Sequence, residues 1–410
     1  MAEFELARLW QSADESVRKI PGLADEEDRQ LSIGVSKRPG SVYEEGDNDM
    51  ATLNALMAKR VAPADLQRFC AEAMVRCGLS REDAAVTAEV LTTTDTWGTH
   101  SHGTRQIRPL MRAVKAGGIR PGAQPAIRRE GPGWALVDAN CAMPMVVACR
   151  VMETAIAKAK SAGVGYVGVA HSSHFGAAGY YATLALRHDM IGLSMTNCDP
   201  CAAVTGSRTP VIGTNPIAFA VPAGEERPVF LDVATSVVAV TKVMIAKAMG
   251  RSVPTGWLCD PEGRPTTDPS GYPDRSVLQP MAGYKGYGLA VLVEVLAGIL
   301  TGASFLSGVK AWVGENAPPA DQGHAFIAID IGAMMPLDPF KARMDAMIRE
   351  IQQAPKAVGV ERIYLPGEME WERRDTALQN GMQLPDYVLV NLQGLAEDVG
   401  MVPELEAIFR

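Results

Sequence analysis

The segment Gly163-Val-Gly165-Tyr-Val-Gly168 places the strongest constraint on the fold, because its spacing matches the G-x-G-x-x-G fingerprint of dinucleotide-binding domains. In those domains a strand precedes the fingerprint and a helix follows it, so that the helix N-terminus meets the pyrophosphate. Here the order is reversed, since the pattern of residues 145–162 predicts a helix and that of residues 164–170 predicts a strand. We therefore exclude a Rossmann domain and interpret the glycines as a helix C-cap followed by entry into a strand.

Helix and strand patterns are mixed along the rest of the chain, which predicts an α/β or α+β fold. Helices are predicted at residues 63–77, 80–94, 145–162, 177–188, 337–353 and 389–399, and between a strand at 228–232 and about residue 249. The other strands are predicted at residues 134–138, 164–170, 191–197 and 325–331. A loop rich in proline, glycine and aspartate is predicted at 251–273. The apolar run 288–300 contains Glu294 and is too short to span a bilayer, so we interpret it as a buried helix.

Charge and cysteine content exclude several classes of function. The formal net charge is -8 and no basic stripe stands out, which argues against a nucleic-acid partner. The start of the chain shows no apolar signal-peptide core, and no membrane partner is expected. The seven cysteines are odd in number and lack the spacing of a disulfide framework, which favours the reducing cytoplasm.

Four of the six histidines lie in two glycine-flanked segments, GTHSHG (98–103) and HSSHFG (171–176). Imidazole has the side-chain pKa nearest neutral pH and is the usual proton-transfer group. A single histidine is more often a satisfied structural residue. Two clusters that combine imidazoles, hydroxyls and glycines instead favour a pocket that moves protons on a small polar substrate.

Further segments are candidates for binding. The sequence GTNP (213–216) is a turn signal, and DVATS (232–236) places a carboxylate at a strand end and hydroxyls at a predicted helix start. Those hydroxyls either cap the helix or help its N-terminus bind an anion. Lys285 lies between glycines before an apolar helix, where it is either solvated or meets a substrate carboxylate. Cys198 and Cys201 form a single C-x-x-C pair, which is too few ligands for a structural zinc, so no metal site is predicted.

Seven segments in one order, THSHG, HSSHFGAAGYY, GTNPIAFAVP, LDVATS, PTTDP, GYKGYGL and YLPG, resemble the malate/L-lactate dehydrogenase family that lacks a Rossmann fold. Ureidoglycolate, sulfolactate and diketogulonate dehydrogenases and Δ1-piperideine-2-carboxylate reductase belong to that family. The resemblance covers residues 62–367 and implies hydride transfer between NAD or NADP and a small 2-oxo or 2-hydroxy acid. It also implies a homodimer with the active site near the subunit interface, and a cofactor domain with a mainly antiparallel sheet beside a helical domain.

The same resemblance assigns roles to individual positions. His174 matches the family's proton donor, and His102 matches a second imidazole of the site. The positions expected to contact a carboxylate substrate are Ser101, Arg105, Cys198 and Lys285. The positions expected to contact the cofactor are Gly213, Thr214, Asn215, Asp232, Val233, Ala234, Gly367, Glu368 and Met369.

The chain departs from the family pattern at Gln106, where an arginine usually binds the substrate carboxylate. We expect Lys285 together with Arg105 or Arg108 to bind the carboxylate instead; alternatively, Gln106 recognises a neutral group on a different substrate. Reduction of a C=N bond in a cyclic imino acid is a second possible reaction. A non-catalytic ligand-binding relative and a redox or zinc protein built on the C-x-x-C pair are the alternatives from other classes.

The chain is expected to divide into four parts. Residues 1–50 are acidic and loop-like, and we interpret them as a flexible N-terminal extension. A helical part with the THSHG motif is expected at 51–130, and a cofactor-binding domain with a mixed sheet at 131–335. A C-terminal helical part, 336–410, is expected to pack on the first.

Overall fold

A computed structural model describes residues 56–313 and 318–410, and the predicted extension at 1–50 lies outside the described residues. Within the described residues the strands are β1 (Ala126–Gly131), β2 (Trp134–Asp138), β3 (Val164–Ser172), β4 (Met190–Thr196), β5 (Ile217–Val221), β6 (Val229–Val233), β7 (Leu258–Cys259), β8 (Pro265–Thr266), β9 (Val277–Leu278) and β10 (Gln322–Asp330). The helices are α1 (Pro63–Arg76), α2 (Arg81–Thr96), α3 (Ile107–Lys115), α4 (Pro144–Ala162), α5 (Ala178–Leu184), α6 (Val240–Ala248), α7 (Tyr284–Val293), α8 (Leu337–Gln352), α9 (Glu368–Asn380), α10 (Asp386–Val399) and α11 (Val402–Ala407).

Seven strands form one central sheet in the order β1-β2-β3-β10-β4-β5-β6. The β2–β3 pair is parallel, and the other neighbouring pairs in this sheet are antiparallel. The predicted mixed fold with a mainly antiparallel sheet is therefore confirmed. Because neighbours run in opposite directions, the C-terminal ends of β3, β4 and β6 lie at the same edge as the N-terminal ends of β10 and β5.

The glycine-rich segment connects α4 to β3 as the reversed order predicts. Gly163 ends α4 with a positive φ of 82°, a conformation that glycine adopts at little cost. β3 begins at the next residue, and a Cβ atom built on Gly165 would lie 2.0 Å from the carbonyl oxygen of Ala155 in α4. The strand and the helix thus approach so closely that only glycine fits there. The interpretation of these glycines as a helix cap and a strand entry is confirmed.

The two ends of the described chain meet in one helical layer. α10 packs against α1 and α3, and Val61 forms backbone bridges with Met382 and Phe409. Leu66 of α1 and Leu392 of α10 belong to the same buried apolar core, which continues into the central sheet. The hydrophobic effect therefore joins the helical layer to the sheet through shared burial of apolar surface.

Two predictions in the middle of the chain are wrong. The segment 251–273 is not entirely a loop, because β7 and β8 within it form a small antiparallel sheet with β9. In addition, α6 begins at Val240, so the hydroxyls of Thr235 and Ser236 do not lie at a helix start. The N–H and the hydroxyl of Thr235 both donate to the carbonyl of Thr214 at 2.8 Å. These bonds tie the segment after β6 to the loop before β5.

The apolar run at 288–300 forms the predicted helix, but the prediction that it is buried is wrong. α7 continues as a π-helix from Glu294 to Ile299. One face packs on the sheet, whereas the other is exposed and carries Leu289, Leu292, Val295, Ile299 and Leu300. Among the residues that the structure describes, no helix combines the length and the apolar character needed to cross a membrane.

Candidate active site

Three of the predicted site segments meet at one edge of the central sheet. His174 follows β3, Cys198 follows β4, and Thr214 precedes β5. Because β3 and β4 both pair antiparallel with β10, the loops after them emerge side by side. The antiparallel topology thus gathers segments that are distant in sequence.

Three aromatic rings stack beside this edge. The ring of His174 lies 4.5 Å from that of Trp312 and 5.5 Å from that of His102, measured between centroids, with interplanar angles of 23° and 22°. The structure therefore brings together the two imidazoles that the sequence singled out. Sequence reasoning missed Trp312, whose only signal was an aromatic residue in a loop.

Burial keeps both stacked imidazoles neutral at pH 7. Desolvation, followed by the positive charge of Arg105, lowers the pKa of His102 to about 4. Desolvation also holds the pKa of His174 well below its usual range, and His102, His324 and Arg105 lower it further. A neutral imidazole has a free lone pair, so each ring is able to accept a proton from a substrate hydroxyl.

The guanidinium of Arg105 lies over the ring of Tyr387, 6.0 Å from its centroid, and its positive charge lowers the pKa of both imidazoles. Its Nη1 donates to the carbonyl of Ser101 at 3.4 Å, and the Ser101 hydroxyl lies 2.8 Å from Nδ1 of His102. Gln106 is buried, and its Nε2 donates to the same Ser101 carbonyl at 2.6 Å. The glutamine thus supports the turn, while the neighbouring arginine supplies the positive charge.

Arg108 is paired with a carboxylate on α10, which makes it the weaker of the two arginines suggested for the substrate carboxylate. Its Nε donates to Asp398 at 2.8 Å, and its guanidinium lies against Gly394 of α10. This ion pair ties α3 to α10, and the direction of the Arg108 side chain is set by that contact. Arg105 therefore remains the candidate cation of the turn.

The other two histidines of the paired clusters are held by carboxylates, and a functional role for them stays a prediction. Nδ1 of His100 lies 2.9 Å from Oδ1 of Asp95. Nδ1 of His171 lies 2.9 Å from Oδ1 of Asp138 and 2.8 Å from Nη2 of Arg128. These contacts give both histidines a structural role in positioning their segments.

Cys198 lies beside the predicted cofactor turn. Its Sγ is 3.4 Å from the Thr214 hydroxyl, and its N–H donates to Oδ1 of Asn215 at 3.2 Å. A Cβ atom on Gly213 would lie 2.5 Å from the Cys198 carbonyl oxygen, so glycine allows the two loops to touch. Burial raises the pKa of the Cys198 thiol to about 11, which makes it a neutral contact group rather than a nucleophile.

A buried carboxylate that sequence reasoning missed holds these loops together. Glu294 accepts hydrogen bonds from Nδ2 of Asn197 at 3.1 Å and from Nδ2 of Asn215 at 3.0 Å. Asn197 also accepts from the N–H of Gly323 at 2.9 Å. The only signal in the sequence was a glutamate within an apolar run, and the π-helical turn places it between the loops.

The second predicted cofactor segment lies at the end of β6. Oδ2 of Asp232 accepts a hydrogen bond from the N–H of Gly179 at 2.7 Å, and burial raises the pKa of this carboxyl to about 6. Val233 and Ala234 are partly exposed. Because the N–H of Thr235 bonds to Thr214, this segment adjoins the first one.

The third predicted cofactor segment runs beside β6. The N–H of Phe230 donates to the carbonyl of Pro366 at 3.0 Å, and a Cβ atom on Gly367 would lie 2.6 Å from the Phe230 backbone. The side chain of Glu368 is engaged internally, since it accepts from the N–H of Leu365 at 2.9 Å. Met369 is exposed beside it.

Lys285 lies on the exposed first turn of α7. That turn adjoins the cofactor segments, because the N–H of Met281 donates to the carbonyl of Thr235 at 2.9 Å. In the described parts of the chain, no group of three or more histidine, cysteine, aspartate or glutamate side chains is arranged to hold a metal ion.

Comparison with known proteins gives consistent matches over most of the chain. A family model described as malate/L-lactate dehydrogenase matches residues 61–393. The malate dehydrogenase of Pyrococcus horikoshii is 36% identical over 349 residues, which cover 83% of this chain and 96% of that protein. A Δ1-pyrroline-2-carboxylate/Δ1-piperideine-2-carboxylate reductase of Pseudomonas putida is 33% identical, covering 83% and 97%. The solved structure of sulfolactate dehydrogenase from Methanocaldococcus jannaschii matches with a TM-score of 0.78 and 34% identity, covering 83% and 98%.

Proposed function

The chain belongs to the malate/L-lactate dehydrogenase family, and we propose that it oxidises or reduces a small carboxylate substrate at the His102–His174 stack. It is a nicotinamide-dependent oxidoreductase that acts on small 2-hydroxy or 2-oxo acids. The observation that carries the assignment of the site is the pair of stacked neutral imidazoles with Arg105 beside them. This arrangement offers imidazoles that are able to accept a proton and a guanidinium whose charge is able to bind the substrate carboxylate.

His174 is proposed as the residue that moves the substrate proton. In oxidation its neutral ring accepts the proton of the C2 hydroxyl, and in reduction the protonated ring returns it to the developing alkoxide. The N–H of Gly176 donates to Nδ1 of His174 at 3.3 Å, which leaves Nε2 as the nitrogen available to the substrate. When bound, the nicotinamide cofactor supplies or receives the hydride.

Arg105 and Lys285 are proposed to bind the substrate carboxylate. A carboxylate enclosed without a cation loses its hydration, and charge-assisted hydrogen bonds to a guanidinium offset that loss. The charge of Arg105 acts on both imidazoles, and Lys285 lies on the exposed first turn of α7, which adjoins the cofactor segments. Ser101 and Cys198 are proposed as neutral contacts at the edges of the same pocket.

The cofactor, NAD or NADP, is proposed to lie along the three linked segments 213–215, 232–234 and 367–369. Their chemistry fits a dinucleotide, because they offer the Thr214 hydroxyl, the Asp232 carboxyl and the partly exposed residues Val233 and Ala234. Hydroxyls and backbone N–H groups suit phosphates, and a carboxylate suits ribose hydroxyls. Glycine at positions 213 and 367 allows neighbouring backbone segments to lie close together.

An absorbance assay at the nicotinamide band tests the proposed function. The protein is incubated with NADH or NADPH and a panel of 2-oxo acids and cyclic imino acids, and with the oxidised cofactors and 2-hydroxy acids. We expect turnover of at least one carboxylate substrate and a preference for one cofactor. Preferential turnover of a cyclic imine would favour C=N reduction, and the absence of turnover across the panel would contradict the proposed substrate class.

The exposed face of α7 and its π-helical continuation is proposed as a homodimer interface. Leu289, Leu292, Val295 and Ile299 recur at three- or four-residue spacing on this face. Single apolar side chains on a surface are common, but a continuous helical stripe of this kind marks an interaction surface. A second copy of the chain removes it from water, and Glu294 on the opposite side of the same helix links it to the site.

Replacing Leu292 with glutamate is expected to convert the dimer to a monomer, because two charges would then be buried at a twofold contact. Sedimentation equilibrium at micromolar concentration measures the mass directly. Leu378→Glu is the matched control, since Leu378 is an exposed leucine on α9 outside this face and its replacement is expected to leave the dimer intact. A monomeric native protein, or a dimeric Leu292→Glu variant, would contradict this interface.

The cytoplasm is proposed as the site of action. The seven cysteines all lie within the described residues, and all are free thiols. Cytoplasmic reductants maintain thiols in this state.

A further inference from the structure

A buried carboxylate lies directly beneath the turn that carries His102 and Arg105. Asp95 belongs to the last turn of α2 and is 1% exposed. A buried carboxylate requires several hydrogen-bond donors to offset its lost hydration. Its donors therefore identify the part of the chain whose geometry it controls.

Those donors come from two short 3₁₀ turns, one within the THSHG segment and one directly after it. Oδ1 of Asp95 accepts a hydrogen bond from Nδ1 of His100 at 2.9 Å, and His100 belongs to the turn His100–His102. Oδ2 receives the N–H of Thr104 at 2.9 Å and its hydroxyl at 2.6 Å, in the turn Thr104–Gln106. One carboxylate thus bonds to the turn of His102 and to the turn of Arg105.

Gly103, which joins the two turns, shows how closely the carboxylate approaches. A Cβ atom at this position would lie 2.1 Å from Oδ1 of Asp95, well inside any allowed contact. The glycine of the motif is therefore required by the carboxylate beneath it. Asp95 therefore fixes the bend between the two turns.

We propose that Asp95 is a positioning residue that holds His102 and Arg105 in the arrangement required for hydride transfer. It acts through hydrogen bonds to the turn and does not touch the substrate. The proposal rests on the proposed function, since it concerns the same site. A displacement of catalytic groups of about 1 Å lowers a rate by about 10²-fold.

The test compares three variants of the full chain. Asp95→Ala removes every acceptor, and we expect kcat/KM to fall about 10²-fold. Thr104→Val removes the hydroxyl donor of Thr104 while keeping a side chain of similar shape, and it is expected to give a smaller loss of kcat/KM. Asp95→Asn keeps one oxygen that accepts both Thr104 bonds, so this variant is expected to retain most of the native kcat/KM.

A readout independent of activity is the pKa of His102, measured by NMR titration of labelled protein. Burial holds this pKa at about 4, and loss of the anchored turn in Asp95→Ala is expected to raise it towards 6.5 by admitting water. Thr94→Val is the matched control, because it removes a buried hydroxyl bond to Val90 in the same helix and leaves in place the backbone bond from the N–H of Thr99 to the Thr94 carbonyl. It is expected to shift the melting temperature but not the titration.

The outcomes separate the positioning role from the proposed function. A folded Asp95→Ala variant with the kcat/KM and His102 titration of the control would overturn the positioning role. Equal losses in Asp95→Asn and Asp95→Ala would also overturn it, since the acceptor geometry would then be irrelevant. If no carboxylate substrate is turned over by the native protein, the proposed function fails, while the His102 titration still decides whether Asp95 holds the turn.

Discussion

Replacing His174 with alanine is expected to lower kcat by about 10²–10⁴-fold, the usual effect of removing a general acid–base group. The His174 ring stacks on His102 and Trp312, and its lowered pKa keeps it neutral and ready to accept a proton. Alanine leaves the substrate hydroxyl without an acceptor in a partly desolvated pocket. Steady-state kinetics in both directions, together with titration of cofactor binding by fluorescence, measure the change.

His171→Ala is the matched control for this experiment, because it removes an imidazole from the same HSSH segment. His171 is paired with Asp138 and Arg128, so its loss is expected to affect stability rather than turnover. Cofactor affinity is expected to stay similar in both variants. A folded His174→Ala protein with native kcat, or a His171→Ala protein that loses turnover equally, would refute the assignment.

Replacing Arg105 with alanine is expected to lower kcat/KM for a carboxylate substrate by about 30- to 1,000-fold. Truncating one partner of an enclosed charge pair costs about 2–4 kcal/mol, because the remaining charge is left unpaired. The guanidinium also lowers the pKa of His102 and of His174, so both values are expected to rise in the variant. Kinetics against substrate concentration and a pH profile of kcat/KM measure these effects.

Arg108→Ala and Gln106→Arg complete the comparison. Arg108 is committed to Asp398, so its alanine variant is expected to retain kcat/KM within a few-fold and to lose only stability. Gln106→Arg restores the residue usual in the family. If Arg105→Ala is neutral and Gln106→Arg increases activity on simple 2-oxo acids, then Gln106 sets an altered specificity and the relocated-arginine explanation is wrong.

Local patterns in the sequence predicted the elements that carry the site. The boundaries of α4 and β3 agree with the expected helix and strand to within two residues, because apolar periodicity and a helix-ending glycine act over a few neighbouring positions. The same pattern excluded a Rossmann fold. Tertiary contacts could not be predicted in this way, since they join segments far apart in the chain.

Three residues illustrate that limit. Trp312 contacts His174 only because a loop before β10 returns to the end of β3. Glu294 lies in an apolar run, yet the fold surrounds it with the amides of two asparagines. Asp95 has the pattern of an ordinary residue in a helix, and only the folded turn supplies its donors. Each role depends on partners that no local spacing reveals.

The exposed face of α7 shows a different limit. An apolar run indicates that its side chains leave water, but it does not indicate whether they pack in the same chain or against another one. Here the sheet covers one face of α7 and leaves Leu292 and Ile299 exposed. The sequence correctly predicted a helix in this run, but the prediction that the helix is buried was wrong.

By itself, the sequence determined several of the helices and strands, the exclusion of a Rossmann domain, and the residue types available for proton transfer. These follow from short-range periodicity and from the chemistry of single side chains. Only the tertiary structure decided which histidines meet, and that His100 and His171 are held by carboxylates instead. The physical reason is that a stack or a hydrogen bond requires contact within a few ångströms, and the antiparallel sheet brings the ends of distant strands to that separation.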